Sequence, residues 1–250
     1  MNASTRPLAL VTGASSGIGA DLARELAKDG HDLVLTARRT EPMNKLAEEL
    51  KGHGAKIAVI ASDLSKPGAA ATLVADLDAR GLTIDVLVNN AGTIARTAAT
   101  EHSDEMWDRV LEVNLSAQFV LTRELGGDML RNGGGKIVFV ASLLSFQGGI
   151  TVPGYTASKS AVAGLTKALA NEWAGRGVNV NAVAPGYVRT DNTTALQEDQ
   201  TRYEQILARI PAGRWAEPED IAGAIVFLSS PAADYVNGVV LPVDGGWLAR

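Results

Sequence analysis

The sequence contains no cysteine, which excludes a disulfide framework, a thiolate nucleophile and Cys-ligated zinc. Histidine is scarce: His31, His53 and His102 show no metal-ligand spacing, so no metal is expected and all three are expected at the surface. No uninterrupted apolar run approaches the roughly 18 residues of a membrane span, so no membrane partner is expected. Positive charge is not in excess either. With 23 basic and 28 acidic residues the formal charge is −5, which disfavours nucleic acid as a partner. The opening Met1–Pro7 has one basic residue and no apolar core of signal length, and a cytoplasmic protein is expected.

What the chain does have is glycine, 26 of 250 residues, set among short apolar runs. Strands are expected at Leu8–Thr12, Leu33–Thr36, Ile57–Ile60, Val86–Val88, Lys136–Ala141, Val178–Ala184 and Val239–Val243. Helical periodicity lies between most of them, at Ser16–Asp29, Pro42–Leu50, Pro67–Arg80, Ser103–Leu130, Tyr155–Trp173 and Pro218–Leu228. Strands alternating with helices predict an α/β fold, a parallel sheet of about seven strands covered on both faces. Gly133, Gly134 and Gly135 read as a turn into the fifth strand. No repeat, low-complexity tract or linker interrupts the chain, so one domain over 1–250 is expected.

Three segments carry chemistry. The first strand runs into Thr12-Gly13-Ala14-Ser15-Ser16-Gly17-Ile18-Gly19, at the start of an amphipathic helix. Glycines there let the backbone approach a pyrophosphate, and the unpaired amides of the helix start attract its charge. The spacing differs from the tighter dinucleotide fingerprint, and a glycine triplet alone does not separate a phosphate turn from a plain one. Its place between strand and helix favours the former. The second strand should end in a carboxylate if NAD is the cofactor, to hold the ribose hydroxyls. Ala37 stands there, followed by Arg38 and Arg39, two guanidiniums suited to a 2′-phosphate. NADP(H) is therefore favoured over NAD(H). Finally, Tyr155 and Lys159 share a helix face at i,i+4, so the ammonium is expected to lower the phenol pKa. Ser142 follows the fifth strand, at the end where an open α/β sheet binds ligands; a turn or cap role is its alternative, and Ser145 is a nearby decoy.

The ordered set Thr12-Gly13-x-x-x-Gly17-x-Gly19, Asn89-Asn90-Ala91-Gly92, Asn114, Ser142, Tyr155-x-x-x-Lys159 and Pro185-Gly186 resembles the short-chain dehydrogenase/reductase family over essentially the whole chain. The resemblance implies a Rossmann-like fold, usually in a homotetramer, with a cofactor part near 1–90 and a catalytic part near 91–250. It implies NAD(P)-dependent interconversion of a secondary alcohol and a ketone on a small-molecule substrate. Tyr155 would be the general acid/base and Ser142 would polarise the carbonyl. Lys159 would bind the nicotinamide ribose and lower the Tyr155 pKa, and Asn114 would hold a relay water. Gly13, Ser15, Ser16, Gly17, Ile18, Gly19, Arg38, Arg39, Asp63, Asn89, Ala91, Gly92, Lys159, Pro185, Gly186, Val188 and Thr190 would bind cofactor, with Asp63 at the adenine and Asn89 near its ribose.

From about Asn89 onward the chain resembles a branch of that family acting on keto-deoxy sugar acids, whereas Leu8–Val88 resembles NADP-preferring bacterial reductases. A chimera joined near Asn89–Gly92 and a naturally divergent reductase both account for this. Gln147, Arg96, Arg214 and the segment Thr190–Gln200 offer donors to a hydroxylated carboxylate, while Trp173, Trp215 and Trp247 read as core or subunit contacts. A broad ketone reductase would share every catalytic residue. A dinucleotide-binding regulator without turnover is the reading from another class.

Overall fold

The computed structural model describes residues 6–250; the first five, part of the opening read for a leader, lie outside it. Seven parallel strands form one sheet: β1 Leu8–Thr12, β2 Asp32–Ala37, β3 Ile57–Ala61, β4 Val86–Asn89, β5 Gly135–Val140, β6 Val178–Pro185 and β7 Val240–Val243, in the order β3-β2-β1-β4-β5-β6-β7. The helices are α1 Gly17–Lys28, α2 Thr40–Leu50, α3 Ala69–Ala79, α4 Asp104–Leu111, α5 Ala117–Asn132, α6 Pro153–Trp173, α7 Thr194–Glu198, α8 Gln200–Leu207 and α9 Pro218–Ser229. No helix among the described residues is long and apolar enough to cross a membrane.

Side-chain alternation along each strand divides the core into two layers. Leu10, Leu87, Ile137, Phe139 and Val180 face one side, where Leu121, Leu125, Val162 and Trp173 of α5 and α6 cover them. Ala9, Val11, Val88, Val138 and Val183 face the other, under Leu22 and Leu26 of α1 and Ile221 and Ile225 of α9. Both faces are thus dry, which is why the strands read as nearly continuous apolar runs. The strand order reverses between β1 and β4, so the crevice of this Rossmann-like sheet opens above their carboxyl ends.

Three expectations need correction. The helix expected over Ser103–Leu130 is α4 and α5 joined by a π-helical turn, Glu112–Ser116, and α5 runs on to Asn132, where Gly133 at φ +87° ends it. His31 is buried beside Asp29, and burial pushes its pKa down. His102 is half-buried, packed against Gly154 in the first turn of α6, so only His53 of the three is fully at the surface. Trp173, Trp215 and Trp247 are all buried within the chain.

Candidate active site

A cleft of about 550 Å³ runs along the carboxyl ends of the central strands. Its first wall is the turn between β1 and α1. Gly13 (φ +70°) and Gly17 (φ +54°) hold left-handed conformations that favour glycine. A Cβ on Gly19 would fall 2.3 Å from the Gly13 carbonyl oxygen and 2.5 Å from Asn90 Nδ2, so no side chain fits there. Ser16, the N-cap residue of α1, makes no side-chain cap hydrogen bond, and the first turn carries no acid. The open amides and the positive end of the helix dipole therefore suit an anion. Gly19→Ala is expected to cost about 1–3 kcal/mol of stability through overpacking. Thermal unfolding would read this as a midpoint lowered by about 2–4 °C per kcal/mol.

The adjoining wall is cationic. Arg38 and Arg39 follow β2, and Arg39 Nη2 lies 3.4 Å from Ser15 Oγ and 3.3 Å from Ser16 Oγ, bridging to the glycine turn. Asp63 follows β3; the Ser65 hydroxyl and amide on its carboxylate, with Arg38 and Lys66 nearby, hold its pKa below the ordinary range.

At the opposite end Ser142, Tyr155 and Lys159 come together. Ser142 Oγ accepts from Leu144 N at 3.2 Å, the cap role, and lies near enough to the Tyr155 phenol to hold its pKa down. Lys159 Nζ donates to the Val140 carbonyl at 2.6 Å and stands 5.6 Å from the Tyr155 ring centre. Ser145 Oγ donates to the Lys159 carbonyl at 2.7 Å, which fixes α6 from behind. The electrostatics differ from those expected of the i,i+4 spacing. Burial pushes the Tyr155 pKa up, opposed first by the Ser142 hydrogen bond and then by the charge of Arg96. Burial also pushes Lys159 down to about 8. Dryness outweighs the Ser142 bond and the Arg96 charge, so the phenol stays protonated at neutral pH.

Of the residues singled out in the sequence, Gly13, Ser15, Ser16, Gly17, Ile18, Gly19, Arg38, Arg39, Asp63, Ala91, Gly92, Ser142, Tyr155, Lys159, Pro185, Gly186, Val188 and Thr190 all line this cleft. Asn89, Asn114 and Gln147 do not. Asn89 is fully buried and donates to Thr122 Oγ1 at 2.9 Å, beneath the wall rather than in it. Asn114, in the π turn, donates to the Thr93 carbonyl at 2.9 Å and Ser158 Oγ at 3.1 Å, engaging both amide hydrogens. Gln147 accepts from Trp247 Nε1 at 3.3 Å. Arg214 is held by Asp220 at 2.6 and 2.7 Å and borders a separate cavity of about 170 Å³.

Sequence reasoning missed Thr36, Ser62, Leu64, Ser65, Asn90, Thr93, Val113 and Arg109 as wall residues, while Asp191–Thr193, within the segment Thr190–Gln200 read as substrate donors, do line the cleft. Asn90 had a signal within its own motif, and Arg109 and Val113 sit one helical turn apart, at i,i+4. Arg96 is exposed, outside the cleft wall, and its charge reaches both Tyr155 and Tyr187; Arg202 and Arg209 also act on Tyr187.

Comparison with known proteins places this geometry among dehydrogenases. The family described as "short chain dehydrogenase" matches residues 7–201. The 2-dehydro-3-deoxy-D-gluconate 5-dehydrogenase of Pseudoalteromonas atlantica is 52% identical over 244 residues, covering 97% of this chain and 96% of that protein. The Bacillus subtilis protein of the same name is 51% identical over 242 residues, covering 97% and 94%. Among solved structures, a proposed NAD(P) dependent gluconate 5-dehydrogenase from Beutenbergia cavernae with NADP bound at low occupancy superposes with a TM-score of 0.95 at 52% identity, covering 99% of each chain. A proposed 2-deoxy-D-gluconate 3-dehydrogenase from Agrobacterium tumefaciens with bound NADP gives 0.91 at 52% identity, covering 98% and 97%. These matches span Leu8–Val88 as well as the rest, and lend no support to a junction near Asn89–Gly92.

Proposed function

Since this chain belongs to the short-chain dehydrogenase family, we propose that it is an NADP(H)-dependent oxidoreductase that interconverts a secondary alcohol and a ketone on a keto-deoxy sugar acid. The observation that carries this reading is a single cleft with Ser142, Tyr155 and Lys159 at one end and Arg38 and Arg39, without a carboxylate at Ala37, at the other. The names of the relatives and the NADP in two similar structures support it. Residues 1–250 then act as one dinucleotide-binding domain, with cofactor contacts up to about residue 90 and catalytic ones beyond. Assembly as a homotetramer in the cytoplasm belongs to the same proposal.

The bound cofactor supplies or accepts the hydride. The glycine turn and the open end of α1 would hold its pyrophosphate, Arg38 and Arg39 its 2′-phosphate and Asp63 its adenine. Pro185, Gly186, Val188 and Thr190 would flank the nicotinamide, and Lys159 Nζ would hold its ribose. Tyr155 donates its phenolic proton to the carbonyl oxygen during reduction and takes it back during oxidation. Ser142 hydrogen-bonds that oxygen as its charge grows. Asn114, with both amide hydrogens engaged, serves the relay water through an oxygen.

The substrate carboxylate is assigned to Arg96, with Arg202 and Arg209 extending the positive field around Tyr187. Arg96→Ala is expected to raise KM for a keto-deoxy sugar acid about tenfold or more with kcat little changed. KM for a neutral ketone should stay put. Initial rates of NADPH oxidation over keto-deoxy sugar acids and neutral ketones test both the assignment and the function. Equal turnover of neutral ketones would identify a broad reductase. NADPH binding without turnover on any carbonyl would identify a regulator.

A further inference from the structure

Behind the cleft, three polar side chains with no exposed surface, Asn114, Gln118 and Thr122, follow one another at i, i+4 and i+8 from the π turn into α5. Each holds an alternate residue of the segment that leaves β4. Thr122 Oγ1 accepts from Asn89 Nδ2 at 2.9 Å, and Gln118 Nε2 donates to the Ala91 carbonyl at 2.8 Å. Asn114 takes both backbone groups of Thr93, accepting from its N at 2.8 Å and donating to its carbonyl at 2.9 Å. The two repeats are commensurate: four helical residues rise about 6 Å and two extended residues about 6.6 Å.

The intervening Asn90 reaches the other way. Asn90 Nδ2 donates to the carbonyls of Thr12 at 2.8 Å and Gly13 at 3.4 Å. A Cβ on Gly92 would stand 3.5 Å from Asn114 Oδ1 and 3.9 Å from Lys159 Nζ, so Gly92 lies between the last rung and the buried lysine. The ladder therefore sets the height of a segment that touches the glycine turn at one point and the buried lysine at the next. Gln118 Oε1 and Asn89 Oδ1 are buried without a partner among the described residues, a cost that an apolar side chain at either position would avoid. Packing alone does not account for an amide at 118.

We propose that Gln118 and Thr122 are positioning residues, the rungs that hold Asn89 and Ala91 against α5 and so place Asn90, Ala91 and Gly92 as a wall of the cofactor cleft. This inference rests on the proposed binding of NADP(H) in that cleft. Gln118→Met keeps length and loses the donor. Thr122→Val keeps shape and loses the acceptor, and Thr122→Ser keeps the acceptor.

The test is fluorescence titration of each protein with NADPH, well below its unfolding midpoint, together with kcat and KM. Below that midpoint a residue that only stabilises the fold leaves the dissociation constant of the folded molecule unchanged. Gln118→Met is expected to raise the NADPH Kd about threefold to tenfold, the value of one buried hydrogen bond, and to lower kcat while carbonyl KM stays near wild type. Thr122→Val should move Kd in the same direction and Thr122→Ser should restore it. If Gln118→Met does not fold, the Thr122 pair decides. Wild-type Kd and kcat in folded Gln118→Met and Thr122→Val overturn the proposal. A wild type that binds no NADPH overturns the proposed function and the ladder's role with it, a result visible before any variant is made.

Discussion

Tyr155→Phe is expected to lower carbonyl reduction by about 10²–10⁴-fold, the contribution of a positioned general acid, while NADPH binds with nearly unchanged affinity. The substitution removes one oxygen and keeps the ring that packs beside Lys159 Nζ. The glycine turn and the arginines lie at the other end of the cleft and are untouched. In the wild type, burial holds the phenol protonated beyond its ordinary pKa, so the donor form persists across neutral pH. Lys159, brought down to about 8, carries its charge below that pH and loses it above. Reduction by the wild type should accordingly be level through neutral pH and decline from about pH 8 upward. Stopped-assay rates across pH, with NADPH titration of the variant alongside, check both parts. Near-wild-type turnover in Tyr155→Phe would remove the residue from the chemistry.

The same cluster marks where reading the sequence stops. The i,i+4 spacing tells that an ammonium is near Tyr155, but not how dry the site is, and dryness decides the direction of both pKa shifts. Strand positions were legible to within a residue or two because both faces of the sheet are covered and the strands are nearly continuous apolar runs. The π turn at Glu112–Ser116 was not, since one inserted residue leaves the hydrophobic period intact on either side and only slips its phase. Cleft residues next to strand ends were legible because topology alone puts them there. Gln147 and Arg214 were misleading for the opposite reason: what engages them is Trp247, 100 residues away, and Asp220, partners that donor chemistry by itself does not reveal. Asn89 shows the same limit in depth. Its motif identifies the loop, while the bond to Thr122 places its side chain beneath the wall.

Cofactor choice should be reversible at the end of β2. Arg38 and Arg39 form no ion pair with an acid among the described residues, unlike Arg24, Arg80 and Arg214, so their charge is free to meet a ligand. Arg39 already leans on Ser15 and Ser16, which places cation and hydroxyls together at the rim of the glycine turn. Losing one charge-assisted contact to a 2′-phosphate costs about 1.5–3 kcal/mol, or roughly tenfold to a hundredfold in affinity. Arg38→Ala is expected to weaken NADPH by that factor and leave NADH unchanged, because NADH has no phosphate for the guanidinium to hold. Ala37 ends β2 beside Ala61 of β3, so an Asp at 37 would stand where ribose hydroxyls approach in this fold and would repel a phosphate. Ala37→Asp combined with Arg38→Ala should therefore bind NADH better than NADPH. Titration of both cofactors against wild type, the single variant and the double variant measures each step. Equal losses for the two cofactors in Arg38→Ala, or a wild type that prefers NADH, would show that the arginines do not read the 2′-phosphate.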